Sequence, residues 1–79
     1  MLILYYRSTC PFHYKVLDTL EELGLHAEER DIADPAVAAE LVAKGGKQQV
    51  PYLVDSDRGI SMYESADIIA YLREQYAKH

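Results

Sequence analysis

Apolar and polar positions fall into blocks along this chain. Residues 2–6, Leu-Ile-Leu-Tyr-Tyr, form a continuous apolar run of strand length, the pattern of a strand buried on both faces. Arg7 to Pro11 breaks that run. Phe12, Val16, Leu17, Leu20 and Leu23 then recur at helical spacing. Pro11 suits a first helical position and Gly24 a helix stop, so the spacing predicts a helix over 11–23 with Cys10 at its N-cap. Residues 26–32 are too polar for a central strand and read as an edge strand defended by charge. Asp34-Pro35 is a helix start, Val37, Ala38, Leu41 and Val42 make an inward stripe, and Gly45-Gly46 ends it. Residues 50–55 read as a strand, 55–59 as a turn, and 59–62 as the returning arm of a hairpin. The last helix is the strongest periodic signal: Ala66, Ile68, Ile69, Leu72 and Tyr76 line one side, with Asp67, Arg73 and Glu74 outside. Ser61 and Glu64 match a capping box. Ser65 is the preferred N-cap, because Ile60 and Met62 can then alternate in a strand.

The order is therefore βαβαββα. A strand–helix–strand unit normally gives a parallel crossover, and the hairpin adds antiparallel strands. The expected class is α/β, a four-stranded mixed sheet with helices on both faces. The 79 residues allow one domain, spanning 1–79.

Composition narrows the function. The chain is 49% apolar and 27% charged, the balance of a folded protein. Eight Lys plus Arg against 13 Asp plus Glu give a net charge of -5, which argues against nucleic acid and anionic membranes as partners. No apolar run is long enough to span a bilayer and no basic segment precedes the first strand, so the cytoplasm is the expected location. The single cysteine, Cys10, excludes an internal disulfide and a zinc site built from cysteines.

Cys10 is the centre of the candidate chemistry. A thiol at a helix N-terminus meets unpaired backbone N–H groups and the positive end of the dipole, and such thiols have pKa values of roughly 3.5–7.5 instead of about 8.5. Arg7 adds positive charge nearby. The competing reading is a small buried hydrophobe. His13, in the first helical turn, could pair with the thiolate, donate a proton to a leaving thiolate or ligate a metal; the competing and favoured reading is a partly exposed bystander. Tyr5 and Tyr6 point to opposite faces of the first strand, one inward and one toward the site. Either is a candidate catalytic tyrosine, though Cys10 is the better nucleophile.

Residues 6–12, Tyr-Arg-Ser-Thr-Cys-Pro-Phe, resemble the active-site loop of glutaredoxins, small members of the thioredoxin superfamily. Val50-Pro51 stands where that family has a Val-Pro with a cis bond. Residues 63–72, with Glu64-Ser65, resemble the Glu-Ser motif and following helix of glutathione transferase N-terminal domains. The resemblance implies a thioredoxin-like (glutaredoxin) fold, glutathione as co-substrate and a glutathione-dependent thiol–disulfide oxidoreductase acting on glutathionylated proteins, expected to be a monomer. It departs from dithiol glutaredoxins, since His13 stands where their second cysteine lies, so the route is a monothiol one. By resemblance, Val50 pairs with the cysteinyl part of glutathione beside Pro51. Glu64 and Ser65 take the γ-glutamyl end. Arg7, Lys47 and Gln48 are candidates for the glycine carboxylate, and Thr9, Cys10 and Phe12 complete the loop. Two alternatives follow from the same resemblance. One is a module in which Cys10 and glutathione ligate a [2Fe–2S] cluster; the other is a non-catalytic transferase-like interaction domain.

Overall fold

A computed structural model describes residues 1–9 and 11–76. Seven elements follow the expected order: β1 (Leu2–Tyr6), α1 (His13–Glu22), β2 (Ala27–Asp31), α2 (Pro35–Gly45), β3 (Tyr52–Asp55), β4 (Ile60–Tyr63) and α3 (Ser65–Tyr76). The sheet order is β2-β1-β3-β4. β1 pairs parallel with β2, and β3 pairs antiparallel with both β1 and β4. This is the mixed sheet of a thioredoxin-like α/β fold.

Alternation along β1 divides the core into two layers. Leu2 and Leu4 point to one face, where Val16 and Leu20 of α1, Leu53 of β3, and Ile68 and Leu72 of α3 bury with them. Tyr5 points to the other face, with Ile32, Leu41 of α2 and Tyr52. Helices therefore cover both faces. The register places Tyr52 opposite both Tyr5 and Tyr63, so three aromatic side chains lie in a row under α2.

Local chemistry accounts for the element ends. The Asp34 side chain accepts a hydrogen bond from the Ala36 N–H at 2.9 Å, with Pro35 in the first turn. Gly46 closes α2 in the left-handed conformation, φ 82°. β2 is the polar edge strand expected.

Four expectations are corrected. α1 begins at His13 with Phe12 as its N-cap, so the helix starts later than 11 and its N-cap is not residue 10; Pro11 and Phe12 belong to a turn in which the Tyr14 N–H reaches the Pro11 carbonyl at 3.2 Å. Phe12, expected on the inward stripe, is 56% exposed for the same reason. Val42 is exposed rather than inward, because the buried face of α2 centres on Leu41. β3 begins at Tyr52, because Val50-Pro51 stays outside the ladder, as a proline without an N–H favours. The Val50–Pro51 bond is cis, as the resemblance implied. No helix among the described residues is long and apolar enough to cross a membrane.

Candidate functional site

At the end of the sheet, the loop before β3 and the turn before α3 approach each other. Gln49, Val50 and Pro51 come from the loop, Glu64 and Ser65 from the turn, and Phe12 from the entry to α1. Together they line a cleft of about 260 Å³. Pro51 is buried at its floor, while Phe12 stands exposed at its side. Ser65 is the first residue of α3, whose unpaired N–H groups and dipole favour a carboxylate. Glu64, just before it, has φ 74°, the left-handed region that a residue with a side chain rarely enters. Its carboxylate Oε1 accepts a hydrogen bond from Gln49 Nε2 at 2.8 Å, so the two walls of the cleft are joined.

The loop is anchored from behind. The Tyr63 hydroxyl donates to the Lys47 carbonyl at 2.9 Å and accepts from the Lys47 N–H at 3.1 Å. The Lys47 ammonium lies 5.7 Å from the centre of the Tyr63 ring. The cleft thus has a positively charged neighbour whose backbone is fixed.

The structure brings Phe12, Val50, Pro51, Glu64 and Ser65 together, as the sequence implied. It does not bring all the others. Gln48 lines a separate hollow on the outer side of α2, with Ile32, Pro35 and Val42. Arg7 and Thr9 lie exposed in the turn between β1 and α1, outside the lining of the cleft. Cys10 lies outside the described residues. His13 is buried, not the partly exposed bystander weighed above. Its ring sits 4.8 Å from that of Tyr6 and 4.2 Å from that of Tyr14, centre to centre. It serves as the packed first residue of α1.

The tyrosines also sort themselves. Tyr5 is fully buried and donates to Glu40 Oε2 at 2.5 Å on the α2 face. Burial, then the Glu40 bond, push its hydroxyl well above the ordinary range, so it stays protonated, and its one proton is already given to Glu40 and not to a thiolate. Tyr6 packs on His13, and burial together with Asp31 and Glu29 pushes its hydroxyl up as well. Neither is placed as a catalytic base. Gln49 is the residue that sequence reasoning missed. Its only local signal is its position next to Val50-Pro51. Among the described residues no group of three or more His, Cys, Asp or Glu could hold a metal ion.

Comparison with known proteins gives a consistent picture. The family model for glutathione S-transferase N-terminal domains matches residues 4–79. The glutathione S-transferase-like protein OpS6 of Beauveria bassiana is 36% identical over 76 residues, 95% of this chain and 35% of that protein. Among solved structures, an epsilon-class glutathione S-transferase from the housefly, Musca domestica, matches with a TM-score of 0.81 and 29% identity, covering 100% of this chain and 37% of that one. Ure2p in complex with glutathione matches with a TM-score of 0.78 and 28% identity, covering 95% of this chain and 33% of that one. The chain thus spans about a third of the length of these relatives. Of the two families it resembles in sequence, these matches carry the transferase one.

Proposed function

This chain belongs to the glutathione S-transferase N-terminal domain family, and from that premise we propose that it binds glutathione in the cleft between the Val50-Pro51 loop and α3, with Cys10 as the reacting thiol. The observation that carries the binding part is the single cleft shared by the cis Val50–Pro51 bond, the left-handed Glu64 and Ser65 at the head of α3. These are the groups a short peptide with two carboxylates needs. The γ-glutamyl carboxylate binds at the α3 N-terminus against the Ser65 hydroxyl. Its ammonium faces Glu64. The cysteinyl backbone pairs with Val50 as an added strand would, since Val50 stands just outside the β3 ladder. Lys47, held beside Tyr63, offers a cation to the glycine carboxylate.

The chemistry proposed is monothiol exchange. The Cys10 thiolate attacks the glutathione sulfur of a mixed disulfide, the protein thiolate leaves, and Cys10 carries glutathione. The thiolate of a second glutathione then attacks that sulfur, releasing oxidised glutathione and restoring the Cys10 thiolate. No second protein cysteine is needed. Support comes from the loop sequence and from its place in the chain, two residues before Phe12 on the cleft wall. A second reading is that the domain supplies only the glutathione half of a transferase, which the names of the similar proteins favour.

The deciding experiment measures glutathione binding by calorimetry, then reduction of a glutathione mixed disulfide coupled to glutathione reductase, for wild type and Cys10→Ser. Turnover lost in the variant with binding retained supports the thiol route. Binding without turnover in wild type leaves the transferase-half reading. No binding overturns both.

A further inference from the structure

Gln49 and Glu64 enter the cleft from opposite walls and meet through the 2.8 Å bond from Nε2 to Oε1. The contact joins residues 15 positions apart, so it is a feature of the folded site and not of either loop alone. Glu64 is exposed. An exposed glutamate recruited by a ligand loses rotamer freedom on binding, which weakens that ligand's affinity. The Gln49 amide removes part of that cost beforehand. It is a neutral donor, so it orients the carboxylate without cancelling its charge, as a lysine or arginine in its place would. One bond to Oε1 also leaves acceptor capacity on the carboxylate for a second donor. Gln49 is itself well placed to act as a fixed donor. It is half-buried, and its chain leads through half-buried Val50 into the buried Pro51.

We propose that Gln49 is a positioning residue of this site: it fixes the Glu64 carboxylate against the α-ammonium of a γ-glutamyl ligand, and so selects ligands in which that ammonium is free. The assignment rests on the reading of the cleft as a glutathione site.

The test compares two ligands by calorimetry. One is glutathione. The other is glutaryl-cysteinylglycine, the same molecule with hydrogen in place of the α-ammonium. Wild type binds glutathione the more tightly. Gln49→Ala lowers its affinity for glutathione roughly five- to tenfold, the scale of one lost orienting hydrogen bond to a charged group. The same variant leaves the affinity for glutaryl-cysteinylglycine within about twofold of wild type, which also reports an intact cleft. In a Glu64→Gln background, Gln49→Ala makes no further difference to glutathione. Equal losses for the two ligands would show a general effect on cleft shape and overturn the assignment, as would an unchanged affinity for glutathione. Wild type binding neither ligand removes the glutathione reading itself, a result visible before any variant is compared.

Discussion

The Tyr63 ring occupies the space that Gly45 leaves by having no side chain. A Cβ on Gly45 would overlap the Tyr63 hydroxyl and approach its Cζ to 2.8 Å. This close approach lets the hydroxyl hold both the N–H and the carbonyl of Lys47, and so fix the loop that leads to the cleft. Tyr63 cannot swing away freely, because its ring packs 4.4 Å from that of Tyr52, centre to centre. Gly45→Ala should therefore destabilise the fold by about 1–2 kcal/mol, overpacking outweighing the gain in helix propensity. Glutathione binding should weaken with it. Urea unfolding of Gly45→Ala, Tyr63→Ala and the double variant checks the cause. The cost of Gly45→Ala should largely vanish once Tyr63 is truncated.

Asp55 is fully buried at the end of β3, and its Oδ2 accepts hydrogen bonds from Tyr71 at 2.7 Å and Tyr76 at 2.5 Å. Burial pushes the carboxyl up, but the Tyr76 and Tyr71 hydroxyls, the N-terminal ammonium and Arg58 more than offset it and hold it below the ordinary range. Such a carboxyl contributes stability that is present above its unfolded value of about 3.9 and is lost as pH falls through the folded one. Burial and the same bond push Tyr71 up to about 12. Its contribution is present below an unfolded value of about 10 and is lost as pH rises toward the folded one. Between those limits the cluster gives a flat pH profile. Asp55→Ala should cost about 2–4 kcal/mol at pH 7 and make the fall in stability at acid pH shallower, leaving the part that Glu40 contributes. Urea unfolding at pH 7 and pH 3 measures both. An acid limb as steep in the variant as in wild type would falsify the role given to Asp55.

Tyr5 separates a structural tyrosine from a catalytic one. Its hydroxyl bonds Glu40, which Arg30 also reaches at 2.6 and 2.7 Å. The Tyr5 bond is the largest cause of a Glu40 carboxyl below its ordinary value; burial opposes it and Arg30 assists. Tyr5→Phe should destabilise the domain by about 1–3 kcal/mol, as loss of a hydrogen bond to a charged group does. It should raise the Glu40 carboxyl titration, which carbon-13 resonances of that carboxyl follow. Mixed-disulfide turnover and glutathione affinity should stay at wild-type values. A drop in turnover without a drop in stability would return Tyr5 to the chemistry.

How much of this was legible in the sequence varies from residue to residue. The element order and the α1–α3 layer of the core were legible from pattern: Leu2 and Leu4 lie in a continuous apolar run, and Val16, Leu20, Ile68 and Leu72 fall where a 3.6-residue repeat puts them. Glu64 and Ser65 were legible through a motif, and Pro51 through its neighbour Val50. Asp55 was not: a carboxylate beside Ser56, Asp57 and Gly59 reads as a turn residue. Its burial depends on two tyrosines 16 and 21 positions away. Gln49 failed for the same reason, its partner lying across the fold. Phe12 failed because a turn delays α1, and the helical stripe that would have buried it starts one turn later. His13 failed in the other direction: it is buried, with its ring packed at a tilt against those of Tyr6 and Tyr14, a contact that helical periodicity does not encode.

Glu64 offers the sharpest test of how the site is built. It holds φ 74° with a full side chain, a conformation that costs a non-glycine residue about 1–2 kcal/mol and that glycine adopts freely. Glycine also gains freedom in the unfolded chain, which offsets about 0.4–1 kcal/mol of that relief. Glu64→Gly should therefore be as stable as wild type or more stable, by up to about 1 kcal/mol. It should at the same time lose the Gln49 bond and the partner for a ligand ammonium, so glutathione binding should fall at least tenfold. Glu64→Ala keeps the strain and loses the carboxylate, so it should be no more stable than wild type and bind equally poorly. Urea midpoints and calorimetry on the three proteins test the pair of effects together. Stability rising while binding falls identifies a backbone held in a costly conformation for the sake of the ligand. Stability falling in the glycine variant would mean that the carboxylate itself, through Gln49, is worth more to the fold than the strain it carries.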